Sequence, residues 1–382
     1  MKKIYLIAGE PSGDLLGSRL MRAIKKQTAG EVEFYGVGGD TMQREGLKSL
    51  FDISDLAIMG LLEVIPSIPK VLRHIKNTVD DIIRLQPDVV VTIDSWSFSA
   101  RVHKALRKKK TNIPQIHYVA PQVWAWKKKR AKTMYKYIDR LLTLFPYEPK
   151  YFTPYHLPTD FIGHPVIESE AVNANADAFY QKFSIPQDKK IITVLPGSRK
   201  TEVSRLLPVF IQAVEQIHKE HPEFYFAIPT VSTVAEYVKA GIKNCQLPIV
   251  VTETENDRYN AFKASSAAIA ASGTVALELA ILGVPHIVGY KVSPFSAWLA
   301  KKFLKIEFVN LSNILLGREI VPELLQERCI PINIRTYIEQ ILRQDTLYAK
   351  QIDGFTKVRE VLGFGCHTPS ENAATIILNE KK

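Results

Sequence analysis

The 382-residue sequence predicts an α/β protein of two doubly wound parallel-sheet domains with a C-terminal helical segment, and three observations carry that reading. Short β-branched or aromatic runs alternate with longer amphipathic stretches, the pattern of successive βαβ units. The alternation restarts near residue 190 after a polar, small-residue segment. The chain is also longer than the ~100–200 residues usual for one domain.

In the first series, strands read at KIYLIA (3–8), EFYGVG (33–38), PDVVVTID (87–94), IPQIHYV (113–119) and LLTLF (141–145). Helical periods cover 15–27, 70–85, 96–109 and 124–137, so residues 1–165 form one domain. HPVIESEAVNANADAF (164–179) is polar and rich in small residues, and 166–189 read as a hinge. A second domain, 190–340, places strands at IITVLPGS (191–198), FYFAIP (224–229), PIVVTE (248–253), AAIAAS (267–272) and PHIVGYK (285–291). Its helical periods are 202–219, 232–241, 257–264, 274–282 and 294–304. After Pro331 only helical patterns remain (332–344, 346–361 and 370–381), broken by GFGCHTP. Residues 341–382 are therefore expected to pack back on an N-terminal domain, the chain's own or a partner's. No internal repeat or low-complexity tract interrupts the series.

The apolar fraction of 46% and charged fraction of 23% belong to a folded globular chain. Fifty Lys and Arg against 39 Asp and Glu leave +11, a surplus that attracts nucleic acid, phospholipid headgroups or phosphorylated substrates. The runs Arg107–Lys110 and Lys127–Arg130 read as solvated helix faces as readily as binding patches, and they belong to no recognisable nucleic-acid module. Cys245, Cys329 and Cys366 are too scattered for a disulfide framework or a zinc site, and suit reduced thiols in the cytoplasm. The N-terminal apolar run IYLIA is too short for a signal peptide and reads as a first strand. No run approaches the ~20 apolar residues of a membrane span, so membrane contact is expected to be peripheral.

Open α/β sheets bind ligands outside the carboxyl ends of their strands, and two facing domains are expected to direct such sites into a cleft. In GEPSGD (9–14) the glycines permit a tight turn and close approach, the helix start offers N–H groups to an anion, and Glu10 suits sugar hydroxyls. A turn capped by Ser12 or Asp14 is the plain structural account. Asp94 ends a buried-looking strand, where a general base belongs; a cap for the helix near Trp96 is the alternative. LPGSR (195–199) repeats the geometry, with Gly197 and Ser198 exposing backbone donors and Arg199 a fork for a diphosphate. In ASGTVALE (271–278), Ser272, Gly273 and Thr274 begin a helix suited to phosphate, with Glu278 on the same face; helix capping again explains the same residues.

A P-loop, His-Glu-x-x-His, Gly-x-Ser-x-Gly and Asp-x-Asp are all missing, so the expected charge stabilisation comes from Arg199 and helix dipoles, with no metal or cofactor. Residues 56–77 carry Ile58, Met59, Leu61, Leu62, Val64, Ile65 and Ile68, then Lys70, Arg73 and Lys76. Apolar residues flanked by cations suit a bilayer interface, and an ordinary buried strand and helix suit the same pattern. Trp124 and Trp126 beside Lys127 divide the same way.

In order and context, AGEPSGD, LAIMGLLEV, IDS, IHYVAPQVWAWKKKR, FIGHP, LPGSR, ASGTVALE, VGYKVSPFSAWLAKK and FVNLSNILLGREIVPELLQ resemble the lipid-A-disaccharide synthase family across essentially the whole chain. That resemblance implies two Rossmann-like domains of GT-B type and an inverting, metal-independent transfer of 2,3-diacylglucosamine from UDP to 2,3-diacylglucosamine 1-phosphate. It further implies a peripheral enzyme on the cytoplasmic face of the inner membrane, and a homodimer with exchanged C-terminal elements. By match to the family pattern, Asp94 is the candidate base, Glu10 an acceptor-side acid and Arg199 the phosphate ligand. Ser272, Gly273, Thr274, Glu278 and Asn313 match its UDP-binding segments. The family's Asp-x-Pro-x-Phe-Asn is here Asp94-Ser95-Trp96-Ser97-Phe98-Ser99, so roles of the missing proline and asparagine do not transfer. The rival functions are another GT-B-like nucleotide-sugar enzyme, such as an epimerase or a lipid-linked-sugar transferase, and a nucleic-acid binder.

Overall fold

The computed structural model describes residues 1–56, 61–121, 123, 130–293, 307–365 and 368–380, with backbone alone at 61–68, 170 and 172. The chain forms two compact units, Met1–Pro165 with Gly365–Lys382, and Val166–Phe364.

The first unit contains β1 (Lys2–Ala8), β2 (Val32–Val37), β3 (Lys48–Ser49), β4 (Val89–Ile93), β5 (Gln115–Tyr118), β6 (Arg140–Thr143) and β7 (Thr159–Phe161). They make one parallel sheet in the order β3-β2-β1-β4-β5-β6-β7. Its helices are α1 (Pro11–Gln27), α2 (Asp40–Arg44), α3 (Leu61–Leu85), α4 (Trp96–Lys108) and α5 (Ala131–Met134). Strand alternation sorts the core into two layers. Ile4, Leu6, Val89 and Val91 pack with Leu20, Met21 and Ile24 of α1, while Tyr5, Ile7 and Val90 pack with Ile75 and Val79 of α3 and Val102 and Leu106 of α4. Each fully buried Val, Ile or Leu in these layers contributes ~1.5–3 kcal/mol.

The second unit contains α6 (Ala176–Lys182), β8 (Lys190–Leu195), α7 (Lys200–Glu220), β9 (Phe224–Pro229), α8 (Ser232–Ile242), β10 (Ile249–Thr252) and α9 (Glu255–Ala264). It continues with β11 (Ser265–Ala270), α10 (Thr274–Leu282), β12 (His286–Tyr290), α11 (Leu311–Leu316), β13 (Glu323–Leu325), α12 (Pro331–Leu342) and α13 (Thr346–Val361). The sheet is again parallel, in the order β10-β9-β8-β11-β12-β13. Ile192 and Val194 face Phe210 and Val214 of α7 and Ile334 and Ile338 of α12, whereas Ile191 faces Phe179 of α6 and Ala261 of α9. A final helix, α14 (Pro369–Asn379), belongs to the first unit, where Ala373, Ala374 and Ile377 join the α1 layer.

Both sheets are doubly wound, as the sequence predicts, but several boundaries change. Residues 166–189 are not a bare hinge: they belong to the second unit, where Asn175 caps α6 and Phe179, 1% exposed, anchors it. Two adjacent aromatics, Phe179 and Tyr180, among small and polar neighbours gave no periodic signal for this short helix. Nor do residues 341–382 act together. α13 stays in the second unit, where Gln351 clamps His286 with two hydrogen bonds, accepting from its N–H at 2.8 Å and donating to its carbonyl at 2.9 Å; only the last helix joins the first unit. Strands β3, β7 and β13 escape sequence reading because two or three residues carry no period. α1 begins at Pro11 rather than residue 15, and α3 begins at Leu61 rather than residue 70. Of the helix expected over 124–137, the described part is Ala131–Met134; the helix expected over 294–304 lies outside the described residues.

Candidate functional site

In the first sheet the strand order reverses between β1 and β4, the position where doubly wound folds bind ligands. The turns after these two strands carry Glu10 and Asp94 and lie against each other. A Cβ on Gly9 would stand 3.1 Å from the Cβ and Oγ of Ser95, so any larger residue would require Ser95 to give way by a few tenths of an ångström. Asp94 and Ser95 both adopt left-handed backbone, with φ of 55° and 42°, a conformation that non-glycine residues hold only when surroundings enforce it. The enforcement is visible. Asp94 N–H donates to Tyr118 O at 2.9 Å, and Ser99 Oγ donates to Asp94 O at 3.0 Å.

The Asp94 carboxylate accepts from Ser95 N–H at 2.8 Å, and Ser12 Oγ lies 3.4 Å from its other oxygen. Ser95 Oγ donates to Glu10 Oε1 at 2.7 Å, which ties the two acids into one cluster. Burial raises the pKa of Asp94 above its ordinary value; the Glu10 charge adds to the rise, while the Ser95 and Ser12 contacts oppose it. A half-buried carboxylate with a raised pKa is a stronger base than a solvated one. The capping alternatives fail here. Ser95, not Asp94, occupies the N-cap position of α4, and Glu10 precedes α1 with no side-chain cap bond. Asp14 instead accepts from Gly39 N–H (2.8 Å), Met42 N–H (3.0 Å), Thr41 N–H (2.9 Å) and Thr41 Oγ1 (2.7 Å), so it fixes the start of α2.

Behind the Asp94 turn runs a network that no sequence motif announced. Thr92 Oγ1 lies 2.8 Å from His103 Nε2 and 2.7 Å from His117 Nδ1, and His103 Nδ1 lies 2.8 Å from Gln115 Oε1. Burial depresses both histidines, His103 to about 4, so they are neutral and act as rigid polar ties. Trp96 packs over His117 with ring centroids 4.7 Å apart.

The second sheet reverses between β8 and β11, and there a cavity of about 310 Å³ brings the LPGSR and ASGTVALE motifs together. Gly197, Ser198 and Arg199 form one wall; Ser272, Gly273, Thr274 and Glu278 form another. Gly197 has φ of 116°, which only glycine adopts freely, and Arg199 leads into α7. Thr274 opens α10, so free N–H groups border the cavity on both sides. Glu202, Thr230 and Arg258 add further polar groups to the lining, and none belongs to a motif recognised in the sequence. The Arg258 guanidinium reaches within 3.8 Å of Glu278 and 3.2 Å of Glu255, and lies over the Tyr259 ring. Such a surface offers backbone donors and guanidinium groups to a diphosphate, and carboxylates to hydroxyls.

Asn313 is not among the residues that line this cavity. It is fully buried, its Nδ2 donates to Val321 O and Glu323 Oε1, each at 2.8 Å, and its Oδ1 accepts from Ile320 N–H at 2.8 Å and Val321 N–H at 2.9 Å. All four positions of the amide are occupied by the protein, so it holds the 309–323 loop. The apolar residues Ile58 and Met59 lie outside the described residues, as do Trp124, Trp126 and Lys127–Lys129, and the side chains of Leu61, Leu62, Ile65 and Ile68 share that position. Lys70 pairs with Asp55, while Arg73 is exposed beside Leu72. The described part of α3 buries His74, Ile75, Thr78, Val79 and Ile82, as an ordinary amphipathic helix does. Among the described residues no helix is long and apolar enough to cross a membrane, and no group of three or more His, Cys, Asp or Glu could hold a metal ion.

Comparison with known proteins bears on both units. The family model for lipid-A-disaccharide synthetase matches residues 4–377. The lipid-A-disaccharide synthase of Rhodospirillum centenum is 44% identical over 376 residues, 98% of this chain and 94% of its own length. Among solved structures, the glycotransferase of kitacinnamycin matches with a TM-score of 0.66 at 12% identity, over 100% of this chain and 99% of the other. A UDP-GlcNAc 2-epimerase from Neisseria meningitidis, bound to UDP-GlcNAc, matches with a TM-score of 0.62 at 14% identity, over 99% of this chain and 98% of that one. At such identities the structural likeness shows the GT-B-type fold alone.

Proposed function

The chain belongs to the lipid-A-disaccharide synthetase family and is a glycosyltransferase of lipid A biosynthesis, and from that premise we propose how its two strand-order reversals divide the reaction. The second unit holds the donor, UDP-2,3-diacylglucosamine, with its diphosphate on the 197–199 turn and the start of α10 and its ribose toward Glu278. The first unit serves the acceptor, 2,3-diacylglucosamine 1-phosphate. Asp94 takes the proton from the acceptor's primary hydroxyl as that oxygen bonds to the anomeric carbon. The bond from that carbon to the diphosphate breaks, and UDP leaves with the electron pair. Attack opposite the leaving group inverts the anomeric configuration.

Arg199 and the helix starts take up the charge developing on the leaving diphosphate, a role that preorganised donors fill without a metal ion. Glu10, tied to Ser95, faces the acceptor's hydroxyls. One observation carries the reading: two sheets of like winding bear a half-buried carboxylate at one reversal point and a cavity lined by glycine, hydroxyl and arginine donors at the other. Purified protein given donor and acceptor should yield a tetra-acylated disaccharide 1-phosphate by mass spectrometry. Saturable UDP binding with no such product would sink the assignment.

The acyl chains and the bilayer are assigned to Ile58, Met59, Leu61, Leu62, Ile65 and Ile68, with Lys70 and Arg73 toward anionic headgroups, on the support of the apolar-then-basic sequence pattern. A triple Ile58→Ser, Leu61→Ser, Ile65→Ser variant should partition less onto anionic vesicles; unchanged partitioning removes this part. Homodimerisation with exchange of α14 would reuse the Ala373, Ala374 and Ile377 contacts to α1. A monomeric mass in light scattering at micromolar concentration would count against it.

A further inference from the structure

The seat assigned to the donor diphosphate already holds a negative charge of the protein's own. Glu202, in the first turn of α7, accepts from Ser198 N–H at 3.2 Å and from Arg199 Nη1 at 3.3 Å, and the Tyr290 hydroxyl lies 3.4 Å from the same carboxylate. The Gly197 turn is shaped around it: a Cβ at Gly197 would stand 2.7 Å from both Cβ and Oε2 of Glu202. Across the cavity, Ser272 Oγ donates to Val309 O at 3.2 Å. The backbone N–H, the guanidinium and the hydroxyl that a diphosphate would use are therefore engaged internally in the free protein.

These engagements are loose. Charge-assisted hydrogen bonds ordinarily close to about 2.7–2.9 Å, and all three contacts to Glu202 are longer. A carboxylate so held keeps its donors oriented and solvated by protein, yet gives them up at little cost to an anion that binds them better.

We propose that Glu202 is a place-holding anion in the diphosphate seat, displaced when the donor binds, that lowers the seat's occupancy by any anion not anchored elsewhere. The inference rests on the donor-site reading above. While Glu202 occupies the seat, only the fraction of molecules with the carboxylate swung aside can bind, so every ligand that fills the seat loses the same factor in affinity. A ligand anchored elsewhere by its nucleoside tolerates that loss; a bare phosphate or pyrophosphate does not. The device lowers the occupancy of the seat by abundant small anions without changing the ratio of their affinities to that of UDP.

Calorimetric titration of the full chain at fixed ionic strength, with uridine, UDP and pyrophosphate as probes, tests this. Glu202→Gln keeps the shape and removes the charge. It is expected to tighten UDP and pyrophosphate alike by about fivefold, the scale of one weak charged hydrogen bond, and to leave uridine unchanged. Tyr290→Phe, which loosens the carboxylate without neutralising it, is expected to shift UDP in the same direction by about twofold. It stands in should Glu202→Gln fail to show a cooperative melt. UDP binding that is unchanged or weaker in both variants overturns the proposal, as does an equal shift for uridine. Wild-type and variant chains that bind neither UDP nor pyrophosphate would overturn the donor reading itself, a distinguishable failure.

Discussion

The two units wind their sheets alike and then place opposite chemistry at the same topological point. Where β1 and β4 part, the chain sets two carboxylates, Glu10 and Asp94, and burial pushes Asp94 toward the proton. Where β8 and β11 part, it sets glycines, hydroxyls, an arginine and helix starts that attract negative charge. The fold supplies the place, the carboxyl ends of a row of parallel strands, and a few side chains decide its chemical character. Even the glycines divide accordingly. Gly9 lets two turns touch, whereas Gly197 supplies a backbone angle that bends the chain around a carboxylate.

The sharpest way to break this contrast is Asp94→Asn. It should lower turnover ~10²–10⁴-fold while leaving UDP affinity within twofold, because Asp94 and the 197–199 turn belong to different units. Turnover near wild type would remove Asp94 from the role, and a parallel loss of UDP affinity would erase the division of labour. Next in size is Arg199→Ala, expected to cost ~10²-fold in kcat through lost stabilisation of the leaving group, and to weaken UDP as well. Arg199→Ala with unchanged kcat and UDP affinity would place the diphosphate elsewhere.

Asn313→Ala should act on stability instead, by about 2–3 kcal/mol in urea unfolding, since it strands the Ile320 and Val321 N–H groups and the Glu323 carboxylate in a buried loop. Wild-type stability with a tenfold loss of UDP affinity would return Asn313 to the ligand. The smallest effect concerns pH. With its pKa raised in the folded state, Asp94 binds a proton more tightly folded than unfolded, so its contribution to stability is present below the ordinary carboxylate pKa and is lost as pH rises through the raised value. Asp94→Asn should therefore raise the melting temperature slightly at neutral pH. The acid limb of wild-type kcat/KM should fall above the ordinary carboxylate range; a limb at or below that range would argue against burial as the controlling force.

Much of the candidate site was legible because its residues follow strands. PDVVVTID, IITVLPGS and AAIAAS each end an apolar run in a residue able to do chemistry, and the rule about strand carboxyl ends converts such a run into a location. Glu202, Arg258 and the Thr92–His103–His117 network were not legible, since each reaches its place from a helix or a strand interior with no motif around it, while Thr230 directly follows β9 with no motif to mark it. Asn313 shows the converse case. A residue marked by family pattern proved, in space, to be filled on all four sides by its own loop.

By itself the sequence determined the α/β class, the twofold repetition of the parallel-sheet plan and the motif-bearing turns, because hydrophobic period and glycine placement are local properties. Tertiary structure alone decided that α13 stays with the second sheet while α14 crosses to the first. It also decided that Asp14 caps a helix 25 residues away at Gly39, and that Glu202 closes over the turn that Arg199 begins. Each of those outcomes depends on which surfaces and polar groups meet across the chain, and residues distant in sequence declare no partner until packing brings them within hydrogen-bond reach.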